Sequence, residues 1–154
     1  MMLYEILKTV HILSAAVLFG TGLGTAWFMW RADLTGEPAT IAATARNVVL
    51  ADWLFTLPAI IVQPLSGLWL VQLTGYSLME PWLVWTYGLY LLAGACWLPV
   101  VWLQIRMRDL AAEAAANHAP LSARYRRYAR LWLVLGWPAF IAVMLIVYLM
   151  VAKP

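Results

Sequence analysis

The sequence predicts an all-α polytopic membrane protein, a bundle of four transmembrane helices with both termini outside, in the periplasm. Of its 154 residues, 65% are hydrophobic and only 11% are charged, whereas soluble domains are about half apolar and about a quarter charged. The mean hydropathy is +0.81. This composition leaves too little polar surface to cover a water-soluble fold, so the solvent for most of the chain is lipid.

The four predicted spans follow from long apolar runs at about 7–30, 48–73, 82–103 and 131–151. Each run approaches the ~20 residues that a helix needs to cross the bilayer. Backbone groups in hydrocarbon must be bonded within the segment, and the runs are too long for barrel strands, so helices are expected. The first run is longer than a signal-peptide core and is expected to be retained. No repeat or second domain is evident, which predicts a single domain over 1–154.

The placement of arginine predicts the orientation. Connection 31–47 holds two arginines and connection 106–130 holds six, which together are eight of the ten basic residues, whereas connection 74–81 holds none. By the positive-inside rule, the arginine-rich connections are cytoplasmic and the chain lies in the bacterial inner membrane. The net charge of +3 therefore reflects topology and does not indicate nucleic-acid binding.

The last connection is itself patterned. Its alanine-rich part, 106–117, is expected to prolong the third helix into the cytosol until Pro120 stops it. Ser122 is then a suitable N-cap for a restarted helix that runs into the fourth span.

Polar residues inside the spans are the candidate functional residues, because they are costly in hydrocarbon. Glu5, Lys8 and His11 follow one another at intervals of three residues in the first helix, which places His11 about 9 Å below Glu5 and inside the outer leaflet. A neutral imidazole is a preferred ligand of haem iron and of copper. The alternative is that Glu5 and Lys8 form an ordinary pair at the interface and that His11 bonds a backbone carbonyl.

The second helix carries a polar stripe, which is expected to face the bundle rather than lipid: Asp52, Thr56, Gln63, Ser66 and Gly67. Asp52 is close to the inner boundary, and we expect it to pair with Arg46 or another arginine there. Pro58 and Pro64 interrupt the same helix and free carbonyls near Leu54 and Ile60 for a ligand, a water or a neighbouring hydroxyl.

Small residues at every fourth position of the first helix, Ala16, Gly20 and Gly24, are typical of close helix contact, within the chain or in a homodimer or larger membrane complex.

Counting inward from the outer ends of the spans places a group of residues at similar depth: His11, Ser66, Tyr87, Tyr90 and Met144. A haem in this half of the bundle would take His11 on one face, with Met144 or nothing on the other. We expect Lys8, Gln63, Ser66 and Tyr87 to complete the cofactor site. His118, in the cytoplasmic connection, lies on the wrong side to serve as a second axial ligand in the same chain.

Several landmarks resemble the four-helix, haem-binding protoporphyrinogen oxidases of the HemJ type and the related copper-resistance D-type membrane domains: Tyr4, Lys8, His11, Phe19-Gly20 and Arg31 in the first helix, Pro58-Ala59 and Gly67-Leu68-Trp69-Leu70 in the second, and Arg130 and Pro138 near the end. Gln63-Pro64 with Ser66-Gly67, and the segment 136–140, look more closely like a bacterial family of predicted integral membrane proteins, a domain of unknown function.

The resemblance to the haem oxidases implies a four-helix fold and haem binding through His11. In that family a lysine follows a Pro-Trp-Leu motif in the third helix and is essential. Here the motif is present at 81–83, but Val84, Trp85, Thr86 and Tyr87 follow it. The resemblance therefore extends to haem binding and not to the oxidation of protoporphyrinogen.

Three functions are consistent with these residues. The first is a protein that binds haem b through His11 and passes electrons to or from a quinone or a partner. The second is a non-catalytic accessory subunit or scaffold, in which the small residues and tryptophans serve packing alone. The third is copper handling, with His11 and Met144 or Met150 as soft ligands.

Overall fold

A computed structural model describes residues 2–153 and confirms the all-α fold, with no strand in that range. The helices are α1 Met2–Asp33, α2 Pro38–Ala51, α3 Leu57–Thr74, α4 Pro81–Ala116 and α5 Ala123–Ala152. A π-helical turn, Asp52–Thr56, joins α2 to α3 into one continuous helix. The structure thus has four helices long and apolar enough to cross a membrane within the described residues.

The helices extend beyond the predicted spans, most of all in the first connection. The predicted connection 31–47 is almost entirely helical, and only residues 34–37 lie outside α1 and α2. Gly36 adopts a φ of +68° in this turn, a conformation that favours glycine. Pro38 then occupies the first turn of α2, where its missing N–H costs nothing. Hydropathy marks the part of a helix that lies in hydrocarbon, whereas turn and cap residues decide where the helix ends.

The predicted patterning of the last connection is confirmed. Helix α4 continues past its apolar run as far as Ala116, and α5 begins after Ser122. The Ser122 side chain accepts a hydrogen bond from the backbone N–H of Tyr125 at 3.2 Å, as an N-cap does.

The hydrophobic core lies at the arginine-rich end of the bundle, which we define as the end that holds connections 34–37 and 117–122. Its most buried members come from all the helices that meet there: Met29, Ile41, Ala45, Met107, Ala111 and Tyr125. The Tyr125 hydroxyl donates to Asp33 Oδ1 at 2.8 Å and so ties α5 to α1. At the opposite end, which holds both termini and connection 75–80 and which we call the terminal end, α1 packs on α3 and α4 packs on α5. A cavity lies between these two helix pairs.

Asp52 does not form the ion pair that we expected from the sequence. It is buried, and its Oδ1 accepts a hydrogen bond from Thr56 at 2.9 Å. The Gln104 amide, oriented with its NH₂ toward Asp52, donates to Oδ2 at 2.8 Å and accepts from Trp132 Nε1 at 3.3 Å. Within residues 2–153 the single ion pair is the one between neighbours Arg108 and Asp109. Two neutral donors therefore bond the carboxyl group of Asp52. Thr56 lies in the same π-helical turn, and Gln104 lies on α4.

We expect Asp52→Ala to lower the free energy of unfolding by about 1–3 kcal/mol, because it leaves the buried donors of Thr56 and Gln104 without an acceptor. Denaturant titration in a mild detergent measures the change. Asp109→Ala is the matched control: its pair with Arg108 is partly exposed, and its loss should change stability by at most about 1 kcal/mol. Equal effects of the two substitutions would contradict a structural role for the Asp52 cluster.

Candidate functional site

The candidate site is the cavity at the terminal end, with a volume of about 700 Å³. All four spanning helices line it, mostly with apolar and aromatic side chains. Its size falls in the range of small-molecule and cofactor pockets, about 300–1,000 Å³. The polar side chains in its wall include Lys8, His11, Gln63, Thr74, Thr86, Tyr87, Tyr90 and Lys153. A few polar groups in an apolar wall are typical of a site that orients a largely apolar ligand.

His11 is held on α3 through its Nδ1 atom, which lies 2.8 Å from Ser66 Oγ. The Ser66 hydroxyl has one proton, and it lies 2.6 Å from the carbonyl of Val62, to which it donates. Ser66 must therefore accept from His11, so Nδ1 carries the imidazole proton. His11 Nε2, which has no hydrogen-bond partner within residues 2–153, keeps its lone pair.

Gln63 fixes the backbone of α1 beside the imidazole. Its Nε2 donates to the His11 carbonyl at 2.8 Å and to Ser14 Oγ at 2.7 Å. The Ser14 hydroxyl in turn donates to the same carbonyl at 3.1 Å. These contacts confirm that the polar stripe of the second span faces the bundle. They position both the ring and the main chain of His11.

Gly67 lies directly against the His11 ring. A Cβ added at Gly67 would lie 3.2 Å from His11 Cε1 and 3.7 Å from Nδ1. Such a contact is tighter than an ordinary van der Waals separation, so a side chain here would have to displace the ring. The absence of a side chain at Gly67 allows α1 and α3 to approach closely enough for the His11–Ser66 hydrogen bond.

Two tyrosines of α4 line this region, and their hydroxyl groups differ in hydrogen bonding. The Tyr87 hydroxyl is buried and has no hydrogen-bond partner within the described residues, although Tyr87 lines the cavity. The Tyr90 hydroxyl donates to the carbonyl of Ile60, which Pro64 leaves without its helical partner. This confirms that the carbonyl freed by proline is used by a neighbouring hydroxyl. A buried, unpaired hydroxyl such as that of Tyr87 is costly unless a ligand or water bonds it.

Two lysines lie at the mouth of the cavity. Lys8 Nζ lies 5.7 Å from the centroid of the Tyr4 ring, and Lys153 Nζ lies 4.8 Å from that of Tyr76 and 5.5 Å from that of Trp82. From the sequence, Lys153 was only a terminal charge, because the pattern of α5 gives no sign that the residue after it lies against Tyr76 and Trp82. The fold places two cations where the negative groups of an amphipathic ligand would lie.

The structure brings together most of the residues that we predicted for the site. Lys8, His11, Gln63 and Tyr87 line the cavity. Ser66 is not in the lining but forms a hydrogen bond with His11 Nδ1. Met144 is not in the lining, and its side chain is 48% exposed on the surface of the bundle.

Met150 lines the cavity instead of Met144. Six residues separate the two methionines, and at 3.6 residues per turn this turns Met144 about a third of a revolution away from Met150. Counting along the helix predicts the depth of a residue, but depth does not determine which way its side chain faces.

The two glycines of the small-residue stripe of α1 make no close helix contact within residues 2–153. A Cβ added at Gly20 or Gly24 would meet nothing within 4 Å. The close approach of α1 to another helix occurs instead at His11 and Gly67, on a different side of the helix.

Comparison with known proteins gives a family and no function. No curated protein and no solved structure matches the chain. One family matches residues 5–154, almost the whole length, and its description is "Predicted integral membrane protein (DUF2269)". This agrees with the four spanning helices and with the apolar composition of the chain. The chain therefore belongs to the DUF2269 family of predicted integral membrane proteins.

Proposed function

We propose that the protein binds haem b in the cavity at the terminal end, with His11 Nε2 as axial ligand, and exchanges electrons with a quinone or a protein partner. The single observation that carries the proposal is the hydrogen bond between His11 Nδ1 and Ser66 Oγ. Because the Ser66 oxygen accepts a hydrogen bond from the Nδ1–H group, the imidazole is held in the tautomer whose Nε2 is free to bind a metal. The resemblance of the first helix to HemJ-type oxidases supports the same choice of ligand.

The residues of the cavity fit this group. The volume of about 700 Å³ and the apolar wall suit a porphyrin, which is large and mostly apolar. Lys8 and Lys153 at the mouth suit its two propionates, which are anionic. The buried hydroxyl of Tyr87 is a hydrogen-bond donor without an acceptor among the described residues. When bound, haem supplies a centre that accepts and releases one electron.

The residues of the cavity would bind the haem, orient its axial ligand and exclude water from it. Ser66 and Gln63 hold the imidazole and its backbone, so that Nε2 keeps one direction. The apolar wall excludes water and lowers the local dielectric, which is one of the ways in which a protein sets a haem potential. The core at the arginine-rich end is packed, whereas the cavity lies at the terminal end, so an electron partner would reach the site from that side or from the lipid.

Absorption spectroscopy tests the proposal. The protein is expressed with an added haem precursor, purified in a mild detergent, and measured in its oxidised and dithionite-reduced forms. We expect a Soret band and a reduced spectrum typical of haem b, with about one haem per chain on extraction. If the purified protein carries no chromophore and also fails to bind added haemin, the proposal is wrong.

The methionines of α5 give a second prediction. Met150 lines the cavity and Met144 does not, so we expect Met150→Leu to alter the haem spectrum or its potential and Met144→Leu to leave both unchanged. The two substitutions are chemically identical and lie on the same helix. Spectra and redox titration measure the effect, and a change caused by Met144→Leu alone would contradict the placement of the haem.

The orientation is part of the proposal: the terminal end faces the periplasm of a bacterial inner membrane, because the arginines lie at the other end. Cysteine labelling tests it. In a Cys96→Ser background, Met79→Cys should react with a membrane-impermeant maleimide in intact spheroplasts, since Met79 is 77% exposed. Ala116→Cys at the opposite end should react only after lysis. The reverse pattern would place the haem site on the cytoplasmic side.

A second candidate function is that of an accessory subunit in a larger complex. The observation that favours it is the open face of α1, where a Cβ added at Gly20 or Gly24 would meet nothing within 4 Å. Small residues allow helices to approach closely in membranes. This version predicts co-purification with a larger partner and no chromophore, and Gly20→Leu should then release the partner.

A further inference from the structure

A second concave surface lies at the arginine-rich end, far along α1 from the haem cavity. It is an open groove of about 790 Å³ between α1 and the continuous helix formed by α2 and the π-helical turn. On α1 its wall runs from Thr21 to Ala32, roughly 17 Å at 1.5 Å per residue, and Thr35 continues it in the turn. On the other side it runs from Thr40 to Phe55. The groove is about as long as one leaflet is thick.

The groove carries a positive charge at one end and is mostly apolar at the other. Near connection 34–37 its wall holds Arg31, Thr35, Thr40 and Thr44. Farther into the bundle it holds Gly24, Phe28, Val48, Ala51 and Phe55, together with the polar residues Thr21, Thr25 and Asn47, of which Thr25 donates its hydroxyl to the Thr21 carbonyl. Because α1 and α2 are joined by a short turn, this order follows the membrane normal from the arginine-rich surface inward. A ligand that matches the groove is polar at its outer end and hydrocarbon below.

The hydrogen-bond donors that remain free at the polar end are the guanidinium of Arg31 and the hydroxyl of Thr40. The hydroxyl of Thr35 donates to the carbonyl of Ala32 at 2.6 Å, and that of Thr44 donates to the carbonyl of Thr40 at 2.9 Å, so neither proton is available. Arg31 forms no ion pair or hydrogen bond with residues 2–153, and its side chain lines the groove. The Thr40 hydroxyl donates no hydrogen bond within the described part of the chain.

We propose that this groove binds one anionic phospholipid, with its phosphate on Arg31 and Thr40 and an acyl chain along Gly24, Phe28 and Phe55. The planar guanidinium can donate two parallel hydrogen bonds to a phosphate. A basic pocket between transmembrane helices at the membrane surface is a recognised geometry for anionic headgroups. Lipid also surrounds this face of the bundle, so the ligand is present at high concentration.

The headgroup is tested with native mass spectrometry of the purified protein titrated with phosphatidylglycerol or with phosphatidylcholine of the same acyl chains. We expect one tightly bound phosphatidylglycerol per chain and weaker binding of phosphatidylcholine. Arg31→Gln should weaken phosphatidylglycerol binding roughly fivefold, as expected for one basic residue near an anionic headgroup. Arg46→Gln is the matched control, because Arg46 is an exposed arginine of α2 outside the groove and its loss should have little effect.

The acyl-chain part of the groove is tested with Gly24→Leu. An added Cβ at Gly24 meets nothing within 4 Å, so leucine should fold without strain and fill the groove. We expect it to weaken phosphatidylglycerol binding while Gly20→Leu, one turn away and outside the groove, does not. Inorganic phosphate at the same concentration should not compete with the lipid.

Four results would overturn the proposal: equal binding of the two lipids, unchanged binding by Arg31→Gln, equal loss with Arg46→Gln, or effective competition by inorganic phosphate. If Gly24→Leu changes the oligomeric state and leaves lipid binding unchanged, a second copy and not a lipid occupies the groove. None of these readouts depends on haem, so failure here and failure of the haem proposal are separate results.

Discussion

Replacing His11 by alanine is expected to abolish haem binding, which is the largest effect that the proposed site predicts. His11 is the one histidine that lines the cavity within the described residues, and His118 lies at the other end of the bundle. Without it the porphyrin loses its iron–protein bond and keeps only apolar contacts and the lysines. The ratio of the Soret absorbance to the protein absorbance, after purification under identical conditions, measures the loss.

Two controls accompany this variant. Ser66→Ala keeps the ligand but removes the group that holds Nδ1, so we expect haem affinity to fall about 10–100-fold rather than vanish. His118→Ala removes an exposed histidine of the connection between α4 and α5 and should leave the spectrum unchanged. A full Soret band in His11→Ala, or an equal loss in His118→Ala, would assign the haem to another ligand.

Gly67→Val is expected to have the second largest effect. Its Cβ would lie 3.2 Å from His11 Cε1, and the two methyl groups beyond it would force the imidazole away from α3. The hydrogen bond to Ser66 would then be lost, and with it the direction of Nε2. We expect haem binding to be strongly reduced and the free energy of unfolding to fall by about 1–3 kcal/mol, as for other overpacked interiors.

Gly88→Val is the matched control for this variant, because Gly88 lies in α4, also within an apolar span, and an added Cβ there meets nothing within 4 Å. It should keep both haem content and stability. Haem content and thermal unfolding are measured for both variants. If Gly67→Val binds haem as well as the parent protein, then the close packing of α1 on α3 at His11 is not required for the site.

Much of the site was predictable because hydrophobic periodicity reports which residues cannot face lipid. Gln63 and Ser66 stand out in an apolar helix, and His11 stands out in another, so their meeting inside the bundle followed from the cost of polar groups in hydrocarbon. The carbonyl of Ile60 was also predictable, since Pro64 removes its partner by covalent structure alone. The occupant of that carbonyl, Tyr90, was not, because it lies on another helix.

The errors share one cause. Asp52 was assigned to an arginine because a buried carboxylate needs a partner, yet Thr56 and Gln104 supply neutral donors. Met144 was assigned to the cavity from its predicted depth, but its side chain is exposed and does not line the cavity. In both cases the sequence indicates the hydrogen-bonding requirement of a residue or its depth along a helix. The rotation of one helix against the next then decides which neighbour the residue contacts.

By itself the sequence determined the solvent, the number of spans and the polar residues within them, because these follow from composition and from the cost of leaving backbone or side-chain polar groups unbonded in lipid. The tertiary structure alone decided that the helix pairs separate at the terminal end to leave a cavity, that Lys8 and Lys153 both line it, and that Ser66 sets the tautomer of His11. The reason is that helix rotation and packing angle depend on the fit of whole surfaces, which no single helix records in its own pattern.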